Sequence, residues 1–542
     1  MTNFGLLNWS IVIAYLIGNL VLGWAMSRRI KTSEDYSLGD RTSPWWALGI
    51  SVVATYVSAL TFLGGPAWAY GDGMAALAIH VNYPLVVFFV VVFFLPFFFN
   101  SGVASIYEYL ERRFGRKSRS MMSLLFLVTT SITTATILTA TAIVVTYVTG
   151  IDARVAIVGL AAVVLLYTLM GGMNAVIWTD VLQGVILFVG AGIVLAHVVG
   201  LVSPISGALE FLDANGKLNP INTALDFSIA PTIWAGVFAM TLFHITVYGA
   251  NQMMVQRALA AKNIGDAKKS YLLMGYAGFF IYFMFFFLGA LLYVYYKGKE
   301  FENPNEIILI FANSLAIPGL MGIVAAAVMS ASMSSLSSAF NSLATVTVTD
   351  FYEPLIRQGA SDRHYLNVSR IVTVAWTVCI IPIAFAFISS KGSILETLTE
   401  VGSYFVGAKL AMFGLGFFSK HTTEKGLLIG VAVGFVAIYI LKLGVPFFEW
   451  TPPAIAWPWF VVIGGGVNVI VSLAASILIT GFQSEWHEQS VPGQRARFIR
   501  ENLPQKEGNW YVMPGGVEGP TWGLLALFVA VILFLIGFGR LV

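Results

Sequence analysis

The amino-acid sequence predicts an all-α protein that lies mostly inside a lipid bilayer. Of its 542 residues, 58% are hydrophobic and 11% are charged, whereas about 25% of the residues in an ordinary soluble domain are charged. The mean hydropathy of the chain is +0.82. Long apolar runs recur along the chain, and such runs form helices in lipid because a helix satisfies its own backbone hydrogen bonds.

Fourteen apolar runs are long enough to cross a bilayer, so we expect about 14 transmembrane helices. The predicted segments are 7–27, 45–71, 75–99, 119–149, 154–170, 179–203, 232–250, 271–296, 318–347, 369–389, 393–418, 426–448, 456–480 and 519–540.

The basic residues predict the orientation of these segments. If the chain starts outside, most of its 30 lysines and arginines fall in loops on the cytoplasmic side, as the positive-inside rule requires. The largest clusters lie at 28–41, 112–119, 257–269 and 495–506. We therefore expect a multi-pass protein of the cell (inner) membrane with both termini outside.

Several classes of protein are excluded. A net charge of +3 is too small and scattered for a nucleic-acid surface. The single cysteine, Cys379, excludes an internal disulfide, and the six histidines form no metalloenzyme motif. The longest polar stretch, about 481–518, could form at most a short surface helix. An enzyme is therefore not expected, and no obligatory protein partner is evident.

Two predicted segments are internally interrupted, one by GGP at 64–66 and one by VYGANQ at 247–252. They are five segments apart, so they run in opposite directions. Broken helices at matching places in two inverted halves indicate a secondary transporter with its site near the membrane midplane. Chance interruptions in a chain with 52 glycines are the alternative.

Five blocks of sequence carry a resemblance to a known family. They are TSEDYSLGDRTSPWWALGISVVATYVSALTFLGGPAWAYGDG at 32–73, SIYEYLERRFG at 105–115, YTLMGGMNAVIWTDVLQG at 167–184, VYGANQMMVQRALAAKN at 247–263 and MSSLSSAFNSLATVTVTDFY at 333–352. In this order the blocks resemble the sodium/solute symporter family, over about residues 5–425.

The resemblance implies a LeuT-type core of ten helices in two inverted five-helix repeats, at 45–203 and 232–418. An extra helix and a cytoplasmic loop would occupy 1–44, and an extracellular loop would occupy 204–231. Three further helices, with the polar stretch between the last two, would fill 419–542.

A stripe of small polar residues on the ninth segment suggests a cation site. Ala331, Ser334, Ser335 and Ser338 stand at i, i+3, i+4 and i+7, on one helical face. Sodium prefers oxygen ligands, although small residues also let membrane helices pack closely. The resemblance implies that the main sodium site consists of Ala54, Val57, Ala331, Ser334 and Ser335.

A second sodium site occurs in some members of this family. The resemblance places it at Asp180, Ser334, Ser337 and Ser338. Asp180 begins a predicted helix, so it could instead be an N-cap, but an acid within a membrane is a functional candidate because charge there is costly.

The substrate contacts implied by the resemblance are less uniform. They are Thr55, Tyr56, Ser58, Thr61, His80, Thr133, His244 and Lys409. A lone membrane histidine is often only hydrogen-bonded to a neighbour, but here two stand at matched positions. Sialic-acid carriers of the family have an arginine near the position of Thr133, and its absence argues against that substrate.

Lys409 departs from the family, where an apolar or small residue is usual. Its amine could snorkel toward the inner face. It could pair with an acid such as Asp180 or Asp350. It could also be the counter-charge for an anionic substrate.

We therefore expect sodium-driven import of a small organic solute by alternating access, with a neutral sugar or polyol favoured. The alternative is a sodium symporter of monocarboxylates or other small anions. A membrane receptor that has lost transport is an alternative of another class, and a channel is disfavoured because no filter is evident. Sodium ions (Na+), the substrate and the lipid bilayer are the expected partners.

Overall fold

The computed structural model describes residues 4–28, 30, 32–103, 105–388, 394–443 and 453–541, and of residues 394–398 it describes the backbone alone. Within these residues, eleven helices are long and apolar enough to cross a membrane. Two shorter apolar helices, Trp45–Tyr56 and Ala235–Gly249, accompany them. The prediction of a helical, multi-pass membrane protein is thereby confirmed.

The helices of the first half are α1 (Gly5–Ser27), α2 (Ser33–Leu38), α3 (Trp45–Tyr56), α4 (Gly65–Asp72), α5 (Tyr83–Phe89), α6 (Leu95–Ser101), α7 (Glu108–Arg113), α8 (Arg116–Thr149), α9 (Ala153–Leu201) and α10 (Ile205–Ala214). Those of the second half are α11 (Met240–Gly249), α12 (Gln252–Leu259), α13 (Ile264–Tyr295), α14 (Ile307–Ser314), α15 (Leu320–Val346), α16 (Glu353–Leu355), α17 (Asp362–Ala386), α18 (Ile394–Phe418), α19 (Glu424–Leu443), α20 (Trp457–Thr480), α21 (Val491–Arg500) and α22 (Gly519–Phe538).

Short turns of other helix types join several of these helices. Turns of π-helix lie at Leu60–Gly64, Val90–Phe94, Ala235–Ala239 and Thr347–Tyr352, and 3₁₀ turns lie at Gly73–His80 and Pro304–Glu306. Such turns widen or tighten the backbone locally and are frequent at functional positions of helices.

Helix α15, which carries the serine stripe, lies at the centre of the bundle. In its most apolar stretch 94% of the residues are buried, against 17% in α1 and 22% in α17. It packs against α8, α9, α1, α17 and α3. A stripe of hydroxyls on this helix therefore faces other protein segments rather than lipid.

The first helix break does not lie where the sequence predicts it. Val57 and Ser58 have non-helical backbone, whereas the GGP at 64–66 is helical, with Pro66 in the first turn of α4. Proline has no N–H to donate to the π-helical turn that directly precedes α4, so the helical hydrogen-bond pattern lacks one bond at Pro66. The hydroxyl of Ser58 accepts a hydrogen bond of 3.2 Å from the amide of Leu60 and so supports the restart of the helix.

The second break lies within the predicted VYGANQ segment. Helix α11 ends at Gly249, and Asn251 has extended backbone. The Asn251 side chain accepts a hydrogen bond of 3.0 Å from the amide of Met253 and caps α12. Asparagine is a strong N-cap residue, so Asn251 starts α12 two residues after α11 ends.

A second difference concerns Asp180. The expected polar gap between the fifth and sixth segments is reduced to a kink at Gly172, where φ is +48°, and α9 runs on either side of it. A Cβ on Gly172 would lie 2.8 Å from the carbonyl oxygen of Tyr36, so the chain needs glycine here. Asp180 lies well inside α9, and its interpretation as a helix cap is wrong.

The polar segments contain more structure than expected. The short helix α10 lies in the predicted loop 204–231, and α21 is the short helix expected in 481–518. The latter stretch also holds a small antiparallel hairpin, in which β1 (Lys506–Glu507) pairs with β2 (Trp510–Tyr511). A buried ion pair of 2.5 Å between Lys268 and Glu518 ties this stretch to α13.

Candidate functional site

The main predicted sodium site lies where the break in α3 meets the serine stripe of α15. The amide of Ser58 donates to the carbonyl of Tyr56, and the amide of Thr61 donates to the carbonyl of Ser58. The carbonyls of Ala54 and Val57 therefore lose the amide partners that a continuous helix would supply. In transporters with discontinuous membrane helices, backbone carbonyls that are left without helical partners at the break bind Na+.

Serines of α15 face this break. The hydroxyl of Ser335 donates 2.8 Å to the carbonyl of Thr55 and also lies 3.4 Å from the carbonyl of Ala331. Both Ser334 and Ser335 are buried. The oxygen groups predicted for the main site therefore stand on two adjoining elements, α3 and α15.

The residues predicted for the second sodium site meet only in part. The carboxylate of Asp180 accepts a hydrogen bond of 2.6 Å from Ser334 and one from Ser51, and Thr55 lies 3.4 Å away. Ser338 lies 3.4 Å from the hydroxyl of Thr55. Three helices, α3, α9 and α15, thus supply one buried group of oxygens.

Ser337 stands apart from this group. Its hydroxyl donates 3.1 Å to the carbonyl of Ser334 on its own helix and makes no hydrogen bond to Asp180. Its side chain also contacts Tyr167 of α9. Its place in the second site therefore stays a prediction.

The sequence alone does not reveal Arg257, which appears there as one of several basic loop residues. In the structure it belongs to α12 and is fully buried. Its guanidinium forms a salt bridge of 3.0 Å with Asp180 and donates 2.7 Å to Ser51, and it also contacts Ser338. The one available signal was its position directly after a broken helix, in the block 247–263.

The central cavity, of about 170 Å³, adjoins the main site at Thr55 and Ser335. It is lined by residues of the first break and of α8, α11, α12, α13 and α18. Every predicted substrate contact lies in its wall, namely Thr55, Tyr56, Ser58, Thr61, His80, Thr133, His244 and Lys409. The resemblance therefore selected residues that share one space, although their contact with substrate stays a prediction.

Sequence reasoning missed a second set of wall residues. Thr129, Thr130 and Thr134 flank Thr133 along one side of α8, and Tyr282 of α13 lies opposite. The TTSITTATILTAT run of α8 is a visible signal in the sequence. Threonine hydroxyls in a membrane helix usually bond back to their own carbonyls, as Thr134 does to Thr130.

The two histidines of the wall are held by neighbours through one ring nitrogen each. Nδ1 of His80 lies 3.0 Å from the hydroxyl of Tyr83, and Nδ1 of His244 lies 2.7 Å from Oδ1 of Asn82. The ring of His80 stacks on Tyr282 at a centroid distance of 3.9 Å. Nε2 of His80 is buried with no hydrogen-bond partner among the described residues, so it can accept or donate one bond.

Lys409 has no acidic partner among the described residues. Asp180 pairs with Arg257, and Asp350 pairs with Arg119 at 2.7 Å. The interpretation of Lys409 as half of an ion pair with either acid is therefore wrong. Among the described wall residues it is the single lysine or arginine, and no aspartate or glutamate is among them.

Broken helices that release carbonyls, a buried hydroxyl stripe beside them and a solute-sized cavity next to both define a cation-coupled secondary transporter. The chain belongs to the sodium:solute symporter family, whose sequence profile matches residues 36–434. The predicted family, the role of sodium and the expectation of a transporter rather than an enzyme are confirmed.

Relatives within this family carry different solutes. The sodium/sialic acid symporter SiaT of Proteus mirabilis is 29% identical over 464 residues, which cover 82% of this chain and 90% of SiaT. The human sodium-coupled monocarboxylate transporter 1 is 31% identical over 434 residues, which cover 78% of this chain and 70% of the transporter. Neither name mentions a neutral sugar or polyol, the solute class expected from the sequence.

The fold is also similar to solved structures. A substrate-bound, outward-open structure of a Na+-coupled sialic acid symporter aligns with a TM-score of 0.80 and 28% identity, over 88% of this chain and 98% of that one. Mhp1, a nucleobase-cation-symport-1 transporter, aligns with a TM-score of 0.53 and 13% identity, which concerns the fold alone. It covers 83% of this chain and 96% of Mhp1.

Proposed function

We propose that this chain imports a small organic anion of the monocarboxylate class together with sodium, by alternating access. The observation that carries the proposal is Lys409, a lysine in the cavity wall without an acidic partner among the described residues. The human monocarboxylate relative supports the same substrate class.

The charge of the cavity explains why an anion fits. A cation that is removed from water is costly unless it is paired. A substrate carboxylate would supply the missing partner of Lys409 and would lose its own hydration at much lower cost than in a neutral pocket. The threonines of α8 and Nε2 of His80 could then hydrogen-bond to the remaining polar atoms of the substrate.

A neutral solute remains the second candidate. The wall is rich in hydroxyls, which bind sugars and polyols through directional hydrogen bonds, and Thr133 stands where sialic-acid carriers have an arginine. This reading leaves Lys409 without a partner, unless its amine snorkels toward the inner face. The cavity position of Lys409 favours the anion.

The proposal includes two sodium sites. The main one would use the carbonyls of Ala54, Val57 and Ala331 with the hydroxyls of Ser334 and Ser335. The second would use Asp180 with Ser334 and Ser338. If both sites are used in one cycle, uptake should depend on sodium sigmoidally, and the dependence should become hyperbolic in Asp180→Asn.

We also propose the finer architecture that the resemblance implies. Fourteen spans would form two inverted repeats, 45–203 and 232–418, with one helix before them and three after. The distribution of basic residues supports placing both termini outside in a cell (inner) membrane. The two broken segments are five predicted segments apart, so the inverted repeat predicts that they run in opposite directions.

Transport by the purified protein in liposomes tests the substrate class. Labelled acetate, lactate and pyruvate should accumulate when an inward sodium gradient is applied and not when potassium replaces sodium. Glucose and mannitol should accumulate little. Sodium-driven accumulation of glucose or mannitol without the monocarboxylates would replace this proposal with that of a neutral solute. Binding of a solute without any accumulation would favour a receptor.

A further inference from the structure

The guanidinium of Arg257 occupies the oxygens that a second sodium ion would need. It forms a salt bridge of 3.0 Å with Asp180 and contacts the hydroxyl of Ser338, and its Nε donates 2.7 Å to Ser51. Arg257 and Asp180 are both fully buried. Two of the groups proposed to bind sodium are therefore already bound to a cation of the protein itself.

The charges show why the two cations exclude each other. Asp180 supplies one negative charge to this group, and Arg257 supplies one positive charge. No second carboxylate lies among the hydrogen-bond partners that the structure describes for either side chain. A sodium ion added to this pair would leave an unpaired positive charge at a buried position, which is strongly unfavourable.

We propose that Arg257 is a tethered cation that competes with sodium for Asp180, so that a second sodium ion binds only when α12 withdraws its guanidinium. This inference rests on the second sodium site of the proposed function. It adds a link between that ion and the position of α12, the segment after the second break. Arg257 binds Asp180 in one arrangement, and sodium binds Asp180 in the arrangement in which α12 is withdrawn. Sodium therefore shifts the population toward the arrangement with α12 withdrawn.

The main sodium site offers the contrast. Ser335 and the carbonyl of Thr55 bond to each other, and neither contacts Arg257. Ser334 belongs to both proposed sites and bonds to Asp180, so Ser335 is the residue that reports on the main site alone. Removal of the Arg257 charge should therefore change the Asp180-dependent site and leave the contribution of Ser335 intact. This difference lets one set of variants separate the two ions.

Sodium binding to the purified full-length protein, measured calorimetrically without substrate, tests the competition. Arg257→Gln removes the competing charge and leaves Asp180 free, so an Asp180-dependent sodium site should bind about tenfold more tightly or better. That gain should vanish in Arg257→Gln/Asp180→Asn. Arg257→Lys keeps a positive charge and should stay close to wild type.

Control variants distinguish failure of the proposed competition from failure of the proposed sodium sites. Ser335→Ala should weaken the main site with or without Arg257, and Arg119→Gln, which breaks the distant buried pair with Asp350, should leave sodium affinity unchanged. If Arg257→Gln retains main-site binding but shows no Asp180-dependent gain, Arg257 is only a structural counter-ion and the competition is overturned. If Ser335→Ala also has no effect, the proposed sodium sites themselves fail.

A second measurement covers the case in which Arg257→Gln does not fold. In the wild-type protein, sodium should increase deuterium uptake of residues 252–259, because α12 must release Asp180, whereas potassium at equal ionic strength should not. Asp180→Asn should increase this uptake without sodium. Equal or lower uptake in sodium would overturn the competition.

Discussion

The hydroxyl of Ser335 on α15 donates a hydrogen bond of 2.8 Å to the carbonyl of Thr55, beside the break in α3. This bond joins the central helix of the bundle to the one place where α3 stops forming its own helical bonds. Oxygen groups on both sides of it are the ones proposed to hold sodium. The contact thus ties the ion site to the broken helix.

Ser335→Ala and Ser334→Ala each remove a hydroxyl ligand of the main site. We expect sodium affinity to fall by about tenfold or more, while the protein still folds because alanine is well tolerated in helices. The sodium concentration for half-maximal uptake measures the effect. Ser332→Ala is the matched control, since Ser332 lies on the same helix and bonds to Thr141 and Val328 instead. Uptake with unaltered sodium dependence in both variants would refute the main site.

Asp180→Asn should reduce stability as well as sodium coupling. It leaves Arg257 as a buried cation without its partner, and breaking one side of a buried pair costs about 3–5 kcal/mol. The unfolding temperature in detergent should fall clearly. In Asp180→Asn/Arg257→Gln both charges are gone, so part of the loss should be recovered. No recovery in the double variant would mean that the two residues act independently.

Lys409→Met tests the counter-charge because methionine keeps an unbranched, similarly shaped side chain without the charge. A monocarboxylate should bind about tenfold less tightly or worse, equivalent to about 1.4 kcal/mol. Lys425→Met, at an exposed lysine at the start of α19, should have no effect. Normal monocarboxylate binding by a folded Lys409→Met protein would leave Lys409 as a snorkelling residue.

Gly289→Ala should loosen the packing of α13 against the restarted helix α4. An added Cβ would lie 2.2 Å from the carbonyl oxygen of Pro66, a backbone atom that cannot move alone. Overpacking of this kind costs about 1–3 kcal/mol, and the unfolding temperature should drop. Gly192→Ala on α9 is the control, because nothing lies within 4 Å of its added Cβ. Equal unfolding temperatures for the two variants would contradict the close approach.

Much of the architecture follows from the sequence alone because few backbone structures satisfy their own hydrogen bonds inside a bilayer. Long apolar runs without internal polar partners must be helices, and eleven helices long and apolar enough to cross a membrane lie within the described residues. The break at Asn251 was also visible, since asparagine and glycine end helices for local reasons. Likewise, the contact positions implied by the family resemblance include His80 and His244, which lie far apart in the chain but share one cavity.

Only the tertiary structure decided which charged groups meet. From the sequence, Asp180 is a candidate sodium ligand or a helix cap, and Arg257 is one of several basic loop residues. In the structure they are fully buried partners, separated by 77 positions in the chain. Lys409 lacks an acidic partner among the described residues because the candidate acids are bound elsewhere. Hydropathy depends on each residue and its neighbours, so the sequence could determine the helical membrane class and the second break, but not the position of the first break. An ion pair depends on distances between separate helices, and these are set by packing.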